Sequence, residues 1–121
     1  MAGVNRILLR GTIVDVDLDP TRGSETGKIR PAVVVTNNLY NRKVPVVQIV
    51  PLTAWSKRKA AIITNVTVEP STGNGLSKRS VADCLQTRPI DRRHRIVALR
   101  GTLEPETMTH LDEALRIVFA L

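Results

Sequence analysis

The segment Arg22-Gly23-Ser24-Glu25-Thr26-Gly27-Lys28 brings two glycines, two hydroxyls and two bases into seven residues. Glycine lets backbone N–H groups come close to an anion, and hydroxyls and bases donate to its oxygens. That composition suits phosphate. The segment is no P-loop, because three residues rather than four separate Gly23 from Gly27. Alone it supports anion binding and nothing more specific.

Other residues with chemical potential are sparse. Asp15, Asp17 and Asp19 recur at a spacing of two, which puts 15 and 17 on one face of a strand. They read either as the solvent face of an amphipathic strand or as oxygen ligands for a hard cation. Cys84 has no histidine near it in sequence and reads as a buried core thiol rather than a nucleophile. His94 lies in an arginine-rich stretch and His110 in a helical one, which suits surface placement better than a triad or metal role. No metal site is expected.

The charge narrows the partner. The chain has 121 residues and a net charge of +7, and 13 of its 18 bases are arginine. From Glu104 onward there are four acids and one base, whereas residues 1–103 hold 17 bases against 7 acids. Scattered arginines on a folded body read either as a solvated basic surface or as a face for a polyanion, chiefly nucleic acid. With one cysteine, an internal disulfide is excluded. No apolar run reaches membrane-spanning length, and Met1 to Arg10 lacks a signal-peptide core. A soluble cytoplasmic protein with residues 1–121 as one domain and an aliphatic core is expected.

The elements that must hold these residues are mostly strands. Ile13–Leu18 alternates, with Val14, Val16 and Leu18 on one face. Asp19–Arg30 is too polar and glycine-rich for anything but a loop. Pro31–Thr36 is a β-branched strand, and Asn37-Asn38 with Asn41-Arg42-Lys43 reads as a turn. Val44–Thr53 is a strand whose prolines at 45 and 51 suggest an edge or bulge. Ala54–Ala60 reads as a basic loop, Ile62–Val68 as a strand, Glu69–Ser77 as a turn and Ser80–Thr87 as a strand. Pro89–His94 reads as one helical turn and Arg95–Leu103 as a last strand. The period then changes: Met108, Leu111, Leu115, Val118 and Phe119 recur at helical spacing, with Pro105 in the first turn. Six or so short strands and one closing helix predict a mainly β (α+β) fold, a small, bent antiparallel sheet or partly open barrel.

Two blocks carry a resemblance. Asp19-Pro20-Thr21-Arg22-Gly23-Ser24-Glu25 and Arg30-Pro31-Ala32-Val33-Val34, at this separation, resemble the opening of the MazF/PemK toxins. Asn37–Asn41, Val50-Pro51-Leu52-Thr53, the Gln86-x-Arg88-x-Ile90-Asp91 stretch and the Leu103–Leu121 helix extend the similarity over nearly the whole chain. The resemblance implies an SH3-like antiparallel barrel with a C-terminal helix, acting as a homodimer. It implies a type II toxin that is a metal- and cofactor-independent endoribonuclease of single-stranded mRNA. In that family a 2′-hydroxyl attacks the adjacent phosphate and leaves a 2′,3′-cyclic phosphate and a 5′-hydroxyl end. An antitoxin with a flexible acidic segment is the implied protein partner.

Carried over by motif position, the resemblance implies catalytic Arg30, Thr53 and Glu25. Gln86 and Arg88 match positions linked to substrate contact. RNA contact and site preference are expected from the Ser24–Lys28 and Trp55–Lys59 loops, naming Ser24, Thr26, Gly27, Lys28, Trp55, Ser56 and Lys57. Thr12 departs from the acidic residue common in the family, as Ser24 and Leu85 depart from the histidine and aspartate of some plasmid-borne relatives. The related gyrase-poisoning CcdB toxins end in Trp-Gly-Ile, whereas this sequence reads Phe119-Ala120-Leu121. A non-catalytic nucleic-acid-binding barrel and a gyrase inhibitor are the alternatives.

Overall fold

A computed structural model describes residues 8–121. Residues 1–7, most of the stretch read as lacking a signal core, lie outside the described residues. The strands are β1 (Thr12–Asp17), β2 (Ile29–Val34), β3 (Val46–Ala54), β4 (Asn65–Val68), β5 (Ser80–Asp83), β6 (Arg88–Asp91) and β7 (Ile96–Thr102). The helical pieces are α1 (Asn38–Lys43), α2 (Lys57–Ala60), α3 (Arg92–Arg95) and α4 (Pro105–Phe119), with a 3-10 turn at Cys84–Gln86. All strand pairs are antiparallel, in the order β4-β5-β3-β2-β1-β7, with β6 also paired to β3.

The centre of this sheet is buried on both faces, and the period of two divides the core accordingly. Ile13, Val33, Val50 and Leu52 point to one side and pack with Leu111 and Ala114 of α4. Their neighbours Val14, Val16, Ala32, Val34, Val47 and Ile49 point to the other and share a cluster with Ile90 of β6 and Ile96 of β7. The register of β1 against β7 slips twice, between Ile13 and Val14 and between Asp15 and Val16. Such bulges bend a strand and raise its twist, which lets the sheet curl around the second cluster.

β3 is the hub. Its middle pairs with β2, its first half with β6 and its last three residues with β5. Pro51 therefore lies in a central strand, not on an edge as its sequence suggested. Val35 N–H bonds Gln48 O across the β2–β3 pair. By alternation the Val50 N–H also faces β2, and the Pro51 nitrogen faces the opposite edge, where β6 ends and β5 has yet to begin. The missing N–H breaks no ladder there.

Several other boundaries shift for local reasons. The asparagine-rich stretch expected as a turn is helix α1, capped by Asn37 Oδ1 on Leu39 N at 2.8 Å. Asparagine signals helix caps as readily as turns. The expected basic loop contains helical turn α2, capped by Ser56 Oγ on Lys59 N at 3.1 Å. The strand expected over Ile62–Val68 begins only at Asn65, and that over Ser80–Thr87 ends at Asp83. The expected helical turn at Pro89–His94 is half strand β6 and half α3, which Asp91 caps through Arg93 N and His94 N. Helix α4 starts at Pro105 as read, and its left-handed Ala120 ends it. None of the described helices is long and apolar enough to cross a membrane.

Candidate active site

Six of the twelve site residues named from the sequence line two depressions. Arg30 and Thr53 line the first, of about 280 Å³, together with Ser77, Lys78, Ser80 and Arg100. Glu25, Thr26, Gln86 and Arg88 line the second, of about 450 Å³, with Leu85 and Pro89. Arg30 and Thr53 thus share a cleft, whereas Glu25 belongs to the other depression.

The loop between β1 and β2 contributes Pro20, Glu25 and Thr26 to the second. Gly27 fits there because it has no side chain: a Cβ would stand 2.6 Å from Asp19 Oδ1 and 2.8 Å from Thr21 Oγ1. Its carbonyl accepts from Arg30 Nε at 3.0 Å. This bond holds one edge of the Arg30 guanidinium, and no group among the described residues takes either terminal nitrogen. Lys28 sits in the left-handed region at φ 67, and its carbonyl accepts from Leu18 N at 2.9 Å, which closes the loop on β1. Thr26 N donates to Gln86 Oε1 at 3.2 Å and Gln86 Nε2 to Ser24 O at 3.4 Å. Arg88 donates to Leu18 O at 3.1 Å. Gln86 and Arg88 therefore fix the loop as well as line its depression. The Glu25 carboxylate accepts from Arg22 N at 2.7 Å, capping its own turn instead of pairing with the Lys28 or Arg22 side chain.

The loop after β3 is used differently. Trp55 Nε1 donates to Thr67 Oγ1 at 3.2 Å, and the Arg79 guanidinium lies 4.0 Å from its ring centroid. One face of that ring is therefore covered by the guanidinium. Ser56 caps α2, and the exposed Lys57 lines neither depression. The contribution that the sequence did not single out comes from the loop between β4 and β5. Ser77 and Lys78 form a wall of the Arg30–Thr53 cleft, and Arg100 of β7 adds a second guanidinium. Only the bases in that loop hinted at this role.

The wall is anchored by close backbone packing. A Cβ on Gly75 (φ +70) would lie 2.4 Å from Arg100 O, and one on Gly101 would lie 2.3 Å from Gly73 O. Buried Asn74 donates to Glu69 O at 2.8 Å and to Glu104 Oε1 at 3.1 Å, and Ser71 Oγ donates to Glu104 Oε2 at 2.7 Å. The Ser71 hydroxyl, then the Asn74 amide, hold the Glu104 carboxyl below its usual range.

The aspartates and the lone thiol are accounted for separately. Asp15 accepts from Arg100 Nε at 2.6 Å, and Asp17 Oδ1 accepts from Asp19 N at 3.1 Å. Burial, then the Asp83 charge, push the Cys84 thiol up to about 12, which makes it an inert core group. His94 Nδ1 lies 2.9 Å from Asp91 Oδ1 at the surface, and its contacts lower the Asp91 pKa.

Comparison with known proteins decides the family. The description "PemK-like, MazF-like toxin of type II toxin-antitoxin system" matches residues 9–119. Endoribonuclease EndoA of Bacillus subtilis (strain 168) is 36% identical over 115 residues, which is 95% of this chain and 97% of that protein. The chain belongs to the PemK/MazF toxin family. Solved structures agree on the fold. A MazF crystal structure from Deinococcus radiodurans superposes with TM-score 0.81 at 22% identity, covering 97% of this chain and all of that one. A mycobacterial endoribonuclease in complex with its cognate antitoxin gives 0.76 at 24% identity, covering 94% and 96%. In this PemK/MazF toxin, then, the bent antiparallel sheet with its closing helix is the family's own architecture.

Proposed function

We propose that this toxin is an endoribonuclease that cuts single-stranded mRNA in the cytoplasm by internal phosphoryl transfer, without a metal. The observation that carries the reading is the pairing, in one cleft, of the Thr53 hydroxyl with a guanidinium whose terminal nitrogens bond no group among the described residues. The membership of the family and the 36% identity to an endoribonuclease support the same reading.

The reaction forms a bond from the 2′-oxygen to phosphorus and breaks the bond from phosphorus to the 5′-oxygen. The 2′-hydroxyl loses a proton and the departing 5′-oxygen gains one. Negative charge builds on the non-bridging oxygens. Arg30 stabilises that charge with its terminal nitrogens, and Thr53 donates a hydrogen bond to it. A guanidinium keeps its proton at neutral pH, so the role of Arg30 is electrostatic. Glu25 is the one carboxylate among the described residues lining either depression, and we assign it the proton-acceptor role for RNA lying across both. The backbone of Ser24–Lys28, with Gln86 and Arg88, shapes the second depression and with it the choice of bases.

The protein is proposed to act as a homodimer, inhibited by an antitoxin whose flexible acidic segment follows the basic face. The test is incubation with single-stranded RNA in EDTA, comparing wild type, Arg30→Ala and Thr53→Ala, with analysis of the ends. Wild type should leave 2′,3′-cyclic phosphate and 5′-hydroxyl ends. Each variant should be slower by roughly 100-fold or more, the scale of one lost donor to a developing oxyanion. Undiminished cleavage by Arg30→Ala would overturn the assignment. RNA binding without cleavage by wild type would favour the non-catalytic barrel.

A further inference from the structure

The helical turn after β3 is built around one side chain. The Lys59 N–H donates to Ser56 Oγ at 3.1 Å, and the Lys59 carbonyl accepts from Asn65 Nδ2 at 3.0 Å. With both backbone groups tied by side chains, the lysine stem runs back along β3. Its ammonium donates to Thr53 Oγ1 at 3.4 Å and to Ala54 O at 3.3 Å. Among the described residues no carboxylate pairs with Lys59.

The donor inventory fixes what this contact does. An ammonium has three donors and no acceptor, so the Thr53 oxygen must be the acceptor. A hydroxyl that accepts from a cation turns its own proton away from that cation. No group among the described residues takes the Thr53 proton, and the cleft shared with Arg30 lies open to it. Polarisation by the ammonium also makes the hydroxyl a stronger donor.

We propose that Lys59 is a positioning residue that holds the Thr53 hydroxyl with its proton directed into the Arg30 cleft, ready for a non-bridging phosphate oxygen. The inference rests on the reading of Thr53 as a phosphate donor. No proton leaves Lys59, which acts on the orientation and polarity of its neighbour. The capped turn Ser56–Ala60 is then a device that sets the geometry of the chemical step, and not merely a surface loop that touches RNA.

The test is a double-mutant cycle on the full chain with Thr53→Ala, Lys59→Gln and the pair, read as single-turnover cleavage of single-stranded RNA. Lys59→Arg is the conservative rescue, Lys43→Gln on α1 the control for lost charge, and circular dichroism the check on folding. Lys59→Gln should lower kcat by roughly 10- to 100-fold, the range of one charge-assisted hydrogen bond, with KM changed far less. In the Thr53→Ala background the same change should remove no more than about a further twofold. Lys59→Arg should recover most of the rate, and Lys43→Gln should match wild type. Equal fractional losses in both backgrounds, a loss confined to KM, or no rescue by arginine would overturn the proposal while leaving Thr53 in its role. A Thr53→Ala enzyme as fast as wild type would remove that role and the proposal with it.

Discussion

Arg30 and Thr53 gain their character from what holds them rather than from what they are. Gly27 O takes one edge of the guanidinium and Lys59 donates to the hydroxyl, so each keeps its remaining donors toward the cleft. Cys84 illustrates the opposite use of a polar atom. Its thiol, pushed up to about 12, should resist alkylation at about pH 8 in the folded protein and react once urea unfolds it. Mass spectrometry before and after denaturation reads this directly. At this scale the sequence spoke through motif resemblance. Arg30, Thr53 and the Gln86–Arg88 stretch were legible because their spacing resembles a family. Lys59 was legible only as the end of a loop expected to touch RNA, and Ser77-Lys78 not at all, because a base in a polar loop looks the same whether it faces solvent or a cleft.

Among the elements, the loop from Glu69 to Arg79 is the least conspicuous in sequence and the most consequential for the cleft. Glycines mark it as a turn, which it is. That Gly75 and Gly101 exist to let two backbones touch follows only from the pairing of distant segments. Gly101→Ala should lower stability by roughly 1–3 kcal/mol and slow cleavage through the displaced Ser77–Lys78 wall. Glu104 gives the same anchor a pH dependence. Its carboxyl titrates below the ordinary value of about 4.3, so its contribution is complete above that pH and is lost as pH falls through the lower folded value. Acid unfolding of Glu104→Gln should show a shallower loss of stability below about pH 4 than wild type does. Strand β1 and helix α4 were readable from periodicity, and β2 from its β-branched run. The pieces misread were short. Residues 37–43, 57–60 and 88–95 are governed by caps and by the partner strand of β6, and local composition carries neither signal.

Over the whole molecule, charge is divided as the sequence indicates, a basic body and an acidic final helix. The structure gives that division a place: α4 packs on the sheet beside β4, and none of its acids lines either depression. Asp112 is instead ion-paired with Arg10. RNA binding should therefore weaken steeply with salt, as phosphate contacts do, while Glu106→Gln on α4 leaves the salt slope unchanged. Light scattering should give a mass twice the 13.3 kDa of the chain if the proposed homodimer forms, and a mass of one chain would contradict it. Whether the 2′-oxygen is the attacking group is read from a single substrate. Once the cut position in a single-stranded RNA has been mapped, the same RNA is made with a single 2′-deoxynucleotide 5′ to the scissile phosphate. Attack by the 2′-oxygen predicts binding of unchanged affinity and no cleavage at that position in EDTA. Cleavage of the deoxy-substituted strand at the mapped position would rule out attack by the 2′-oxygen.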